Sequence, residues 1–332
     1  MKLRMSFLRA AAVALTATAL SATAVATLAG PVAAQDYPSR DLTFIVPYGA
    51  GGSTDPISRQ FASQMEKELG RNIAIQNKPG AAGTLGTSAI VTSRPDGYTI
   101  GLAPNTTLLF APMTNKDLVF QSTSDYEPIA KLVSLPYVLV VKADAPWKTL
   151  AEFIEDARKQ PGKLRASVSG IRATNDLTMQ QLNKAAGIRV RTIPFTGGGG
   201  EAMVALLGGR VEAYVGTGAS TVGHAQAGSV RVLAVFQKGK YDLFPDATPV
   251  GDAGYDATLG PIYYAVAPKG VPQAALDKLA AASRRVIDSP EYRKFAADNG
   301  YAVENLTPAQ IRQEFVRDHA MFADLLKFLE QK

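Results

Sequence analysis

The chain has 332 residues, 46% hydrophobic and 19% charged, with 35 Lys+Arg against 29 Asp+Glu and no cysteine. That composition supports a sizeable core in one or two domains and excludes disulfides, thiolate metal sites and thiol nucleophiles. The formal charge of +6 makes no case for nucleic acid, because Lys2, Arg4 and Arg9 lie in an acid-free leader; the remaining 32 basic and 29 acidic residues leave +3.

Residues 1–34 join that basic head to an Ala/Leu/Val/Thr run ending Pro31-Val32-Ala33-Ala34, the pattern of a secretory signal cut near Ala34. A membrane anchor is the alternative, disfavoured by the Thr and Ser interruptions and the cleavage-like end. No later apolar run is long enough to cross a bilayer, so the mature chain is expected to be soluble outside the cytoplasmic membrane.

Asp41 to Pro47 reads as a buried strand. After VPYGAGGSTD (Val46 to Asp55), Ile57, Phe61, Met65 and Leu69 recur every four residues up to Gly70, a helix that Thr54 or Asp55 can cap. The unit repeats: strand Asn72 to Gln76, Gly-rich loop Pro79 to Thr84, helix Thr84 to Ser93, strand Tyr98 to Ala103. A second series starts with strand Tyr137 to Val141 and helix Thr149 to Lys159, followed by strand Leu164 to Ser169 and helix Asn175 to Ala186. It continues through strand Ile188 to Phe195, helix Glu201 to Leu207 and strands Val211 to Val215 and Val230 to Phe236. Strand Ile262 to Ala267 then leads into helices over Gln273 to Ile287, Pro290 to Asn299 and Pro308 to Phe328. This alternation predicts an α/β fold with parallel sheets flanked by helices. The strands PYVLVV and IYYAVA bracket the middle series, as where a chain leaves one lobe and returns. The lobes are therefore expected at 35–138 plus 262–332 and at 139–261, with the site in the cleft between them.

Gly49, Gly51 and Gly52 lack β-carbons, so a ligand can approach the backbone at a helix start, where unpaired N–H groups and the dipole favour an anion. The loop Gly80-Ala81-Ala82-Gly83-Thr84 occupies the equivalent junction of the next unit, at the same edge of the sheet. Neither loop has the Lys-Ser/Thr of a phosphate loop or the spacing of a dinucleotide fingerprint, which leaves a carboxylate as the simpler ligand. Phe195 to Ala213 is a third Gly-rich junction. Before it, Ser169, Gly170 and Thr174 offer donors, and Arg172 offers a guanidinium able to grip a carboxylate bidentately. Only His224 and His319 are present, neither beside a nucleophile elbow or metal-spaced acids. No catalytic residue, metal or cofactor is expected.

VPYGAGGSTD, NKPGAAGTLGT, RPDGYTIG, IPFTGGGGEAMVALLGGRVEA, RVLAV and VAPKGVP occur in that order. With them, nearly all of the mature chain resembles the extracytoplasmic receptors of tripartite tricarboxylate transporters, the Bug-type solute-binding proteins. The resemblance implies a two-lobed periplasmic binding fold that closes on a small organic anion and hands it to a membrane permease. It implies that Tyr48, Gly49, Ala50, Gly51, Gly52, Ser53 and Thr54, together with Gly80 to Thr84, grip one carboxylate. Asn105, Thr106 and Thr107 would stand beside them, and Ser169, Gly170, Thr196 and Thr217 would face them from the other lobe. The chain departs from relatives at Ala173-Thr174-Asn175-Asp176-Leu177 and at the preceding SGIR turn, so the distal end of the ligand is open. A sensory receptor serving a membrane signalling partner and a secreted hydrolase using Ser53 or Ser169 are the alternatives. A monomer is expected.

Overall fold

The computed structural model describes residues 37–50, 52–195 and 197–330; the expected signal segment 1–34, Gly51 and Thr196 lie outside the described residues. β1 (Leu42–Val46) is a buried apolar run, and α1 (Thr54–Leu69) turns Ile57, Phe61 and Met65 onto it at four-residue spacing. Gly70, left-handed at φ 64°, closes the helix by donating its N–H to Glu66 O. β2 (Ile73–Asn77), α2 (Thr84–Val91) and β3 (Thr99–Pro104) complete a parallel trio. A five-residue π-helical turn, Thr106–Phe110, then runs into α3 (Ala111–Thr114).

β4 (Tyr126–Ser134) has no counterpart among the expected strands. Pro128 and a buried lysine, Lys131, conceal it in the sequence, and the structure accommodates both. β4 is an edge strand, where proline is tolerated, and Lys131 pairs there with Glu304 and with Glu314 at 3.0 Å.

The chain crosses to a second sheet at Leu135–Pro136. That sheet holds β5 (Tyr137–Lys142), β6 (Arg165–Val168), β7 (Arg191–Pro194), β8 (Ala213–Thr217), β9 (Val230–Val235) and β10 (Thr248–Pro249), in the order β10-β9-β5-β8-β6-β7. α4 (Leu150–Lys159), α5 (Thr174–Ala186), α6 (Gly199–Leu207) and α7 (Gly218–Gln226) connect its strands. α7 also escaped the sequence, because GASTVGHAQ has turn composition and buries little beyond Gly218 and Thr221. Apolar clusters cover both faces, one around Trp147, Phe153 and Phe236, the other around Met203, Leu206 and Tyr214.

β11 (Ile262–Pro268) returns to the first sheet and inserts between β3 and β4, giving β2-β1-β3-β11-β4. It runs antiparallel to both neighbours, and β5 runs antiparallel to β8 and β9. Both sheets are therefore mixed, not parallel as expected, because each return strand enters without a crossover helix. α8 (Gln273–Asp288), α9 (Pro290–Asp298) and α10 (Pro308–Glu330) close the first lobe, with Phe315 and Phe322 of α10 packed against Tyr126, Tyr264 and Phe110.

The lobes meet face to face. Leu177 of α5, fully buried, joins the first-lobe cluster, Thr106 Oγ1 lies 2.8 Å from Thr174 Oγ1, and a β-carbon on Gly170 would stand 3.2 Å from Ala82 Cβ.

Candidate functional site

The carboxyl ends of β1, β3, β6 and β8 open onto one space between the lobes, the position at which α/β sheets bind ligands. Its volume is about 40 Å³. From the first lobe it is lined by Tyr48, Gly49, Gly52, Ser53, Thr54 and Tyr263, and from the second by Ser169, Asn175, Gly198, Gly199, Tyr214 and Thr217. Three helix N-termini converge on it. α1 begins after Ser53 and α6 after Gly198, in each case without a side-chain capping bond, while α7 is capped by Thr217 Oγ1 accepting from Ser220 N. Uncapped first-turn N–H groups and aligned dipoles make that space attractive to an anion.

The other donors are hydroxyls. Tyr48, Tyr137, Tyr214 and Tyr263 all line the cavity. Burial pushes Tyr214 and Tyr263 up to about 12 and raises Tyr48 and Tyr137 as well, so the four phenols stay protonated and neutral at physiological pH. Ser53 Oγ lies 3.2 Å from Tyr263 OH, and Ser169 Oγ donates to Asn175 Oδ1 at 3.0 Å, so neither serine is paired with an imidazole. No Lys, Arg, His, Asp or Glu lines the cavity among the described residues.

Of the residues expected at the site, Tyr48, Gly49, Gly52, Ser53, Thr54, Ser169, Thr174 and Thr217 line this space. Ala50 is exposed at its margin. The loop Gly80 to Thr84 sits behind Tyr48, whose OH donates to Ala82 O at 2.9 Å, and Thr84 Oγ1 turns back to Ala81 O. Ala81 and Ala82 there, and Arg172 in the facing loop, are the non-glycine residues with left-handed backbone among those described. Asn105 caps Thr106 N and reaches Gly260 O, while Thr106 makes the inter-lobe hydrogen bond to Thr174. Gly170 abuts Ala82 across the cleft. Arg172 is exposed and outside the lining; its backbone N–H donates to Asp176. The lining tyrosines Tyr137, Tyr214 and Tyr263 went unrecognised because YVLVV, VEAYVG and IYYAVA read as core strands. A pattern that exposes one of them is Tyr214 followed two residues later by Gly216 on the same face of β8.

Asp55 is not the cap expected of it. Its carboxylate accepts from Arg59 Nε at 2.8 Å and from Asn77 Nδ2 at 2.9 Å, and the same Asn77 amide donates to Tyr48 O. Asp55 thus ties the helix start to the first loop through β2. The Arg59 hydrogen bond, more than any other contact, holds its carboxyl below the usual range. A depressed folded value contributes stability fully above the ordinary carboxylate pKa of about 3.9, and loses it as pH falls through the lower one. Urea titrations between about pH 5 and 3 should therefore show the wild type losing more unfolding free energy than Asp55→Asn.

A larger groove of about 500 Å³ follows the crossing segments on the side of α10, lined by Leu135, Pro136, Gln181, Lys184, Leu259 and Asp324 among others. It takes in Asn105, the cap of the π-helical turn Thr106–Phe110, but no α-helix start and none of the Gly-rich junctions, whereas three α-helix N-termini and two Gly-rich junctions meet at the smaller space, which is therefore the candidate site.

Residues 57–324 match the profile of the tripartite tricarboxylate transporter family receptor. The chain belongs to that receptor family. A UPF0065 protein of Bordetella pertussis is 33% identical to this receptor over 287 residues, covering 86% of this chain and 88% of its own length. The protein BugT of the same organism is 30% identical over 247 residues, covering 74% and 76%. Among solved structures, the receptor superposes on the periplasmic binding protein BugD with a TM-score of 0.81 at 29% identity, over 88% of this chain and 98% of that one. Malate-bound MatC of Rhodopseudomonas palustris gives 0.81 at 27% identity, over 87% and 99%. The receptor accordingly has the two-lobed fold of periplasmic binding proteins, and it belongs with binding proteins, not enzymes.

Proposed function

We propose that this chain is a periplasmic receptor that captures a small organic carboxylate in the inter-lobe cleft and delivers it to the membrane permease of a tripartite transporter. The observation that carries the reading is the convergence of helix N-termini from both lobes on one cleft lined by neutral donors. A carboxylate docked on Gly52, Ser53 and Thr54 satisfies donors of the first lobe, and closure adds those of Gly198, Gly199 and Thr217. Binding then stabilises the closed form by the contacts that only the second lobe supplies. MatC, bound to malate in its solved structure, supports a carboxylate as the ligand class. The crossing segments Leu135–Pro136 and Gly260–Pro261, where the chain passes between the sheets, are the natural hinge.

Isothermal calorimetry against a carboxylate panel tests this. One ligand per chain, recovered unaltered, is expected, with a rise in Tm that grows with ligand concentration. Saturation by no carboxylate, or turnover of the bound compound, sinks the reading. Uptake of the identified ligand should be lost when the chain is deleted from its source cells; intact uptake rules out delivery.

A further inference from the structure

We propose that the groove on the reverse face of the crossing segments works against the cleft: its walls part as the receptor closes and meet as it opens. Its side chains then set how far the empty receptor prefers the open form, and through that the ligand affinity. The inference rests on capture by closure of the lobes and adds what opposes that closure from the far side of the hinge.

Alternation along the crossing strands separates the two spaces. Tyr137 and Tyr263 line the cleft, whereas their chain neighbours Pro136 and Ile262 line the groove, with Gly260 and Pro261 beside them. The hinge therefore lies between cleft and groove, and a rotation about it that widens one narrows the other. Like the cleft, the groove has a wall in each lobe. Ala302 and Met321 stand on the first-lobe side, and Ala185, Phe236 and Gln237 on the second-lobe side.

In this structure the groove stands open, with about 500 Å³ between its walls, while Thr106 and Thr174 hold the cleft side of the lobes together at 2.8 Å. Met321 in its wall is a large apolar side chain left 37% exposed. Opening of the cleft brings the second-lobe wall against it and removes that apolar surface from water, which stabilises the open form. The ion pair that spans the groove, Lys184 to Asp324 at 3.0 Å, joins two exposed side chains, so water competes for both and the pair does not lock the lobes. A bulky side chain added in the groove has room in the closed form and props the walls apart against opening. Apparent affinity scales with the fraction of empty receptor already in the binding-competent form, so such a change tightens binding without touching the site.

Ala185→Trp and Ala302→Trp, one on each wall and both at exposed positions, test the proposal in the full mature chain. Val316→Trp, on α10 at a position 76% exposed and outside the groove, is the control. Because the chain has no cysteine, nitroxides on Leu85→Cys in the first lobe and Val204→Cys in the second, both at exposed positions, report the lobe spacing without any ligand, by double electron–electron resonance. Both groove variants should move the ligand-free distances toward the shorter, closed population. In calorimetry with malate as the probe they should bind about tenfold more tightly than the wild type, whereas Val316→Trp should match the wild type in both measurements. Circular dichroism and Tm check folding, and either groove variant suffices if the other does not fold. An unchanged or longer spacing in a folded groove variant overturns the proposal. So does an equal shift in Val316→Trp, or a shorter spacing that leaves malate binding unchanged. Binding of no acid in the carboxylate panel sinks the carboxylate reading alone, because the spacing needs no ligand and still decides the role of the groove.

Discussion

Leucine in place of Gly52 should lower the affinity for the captured acid by about 100-fold or more while the fold survives. Gly52 lines the cleft, and a β-carbon there meets nothing within 4 Å, so the added side chain starts out into the cleft and not against packed backbone. The space it fills is the ligand's. Because nothing structural moves, Tm should stay within about 2 °C of the wild type. Gly86 makes the control: its β-carbon would stand 2.6 Å from Pro47 Cα and 2.8 Å from Lys78 O, so Gly86→Leu should fail by unfolding. Calorimetry on a folded Gly52→Leu that bound as well as the wild type would place the ligand elsewhere.

The largest loss of stability is expected at Lys131. The side chain is 4% exposed on an edge strand and pairs with Glu304, which is half exposed, and with Glu314, which is nearly buried and also accepts from Tyr264 OH. Methionine at 131 leaves Glu304 free to turn into water but leaves the Glu314 carboxylate, on the inner face of α10, with only the Tyr264 hydroxyl and the exposed Arg317 at 3.5 Å. Breaking a buried pair from one side costs about 3–5 kcal/mol when the remaining charge has no other partner, and Arg317 holds the loss here to about 3 kcal/mol or less. Urea unfolding should show that loss for Lys131→Met, and Lys131→Met/Glu314→Gln should recover most of it, since glutamine keeps an acceptor for Tyr264 without the charge. If the double variant were no more stable than the single one, packing and not the Glu314 charge would be the cause.

The same residue marks where the sequence stops being readable. Helices that carry their own periodicity, such as Thr54–Leu69, declared themselves, and so did strands of uninterrupted β-branched residues. Tyr126–Ser134 did not, because its fitness as a strand comes from a position at the sheet edge and from acids about 180 residues away. Gly218–Gln226 did not, because its helix is held mainly by tertiary placement at the end of β8. The mixed direction of both sheets depends on where β5 and β11 insert, a long-range fact that no local pattern carries.

At the site, glycine loops were readable as bare backbone, since missing side chains are visible in any sequence. Which loop touches the cleft was not. Tyr48 stands between it and Gly80–Thr84, and the inward tyrosines share their strands with core residues of equal hydrophobicity. Arg172 looked like an anion ligand by chemistry alone; the turn of its loop points it to solvent.

The uncharged lining of the cleft has a consequence for life outside the cytoplasmic membrane. In the proposed periplasmic location, the receptor works in a fluid whose acidity follows that of the surroundings, without the cell's buffering. A grip built on imidazole or carboxylate partners would tighten and slacken with every such change. One built on peptide N–H groups, serine and threonine hydroxyls and phenols that lose protons only near pH 12 has nothing that titrates across that range. Capture would then depend on acidity only through the ionisation of the nutrient itself, and the cell could scavenge the same acid from neutral or mildly acidic water with one unchanged protein.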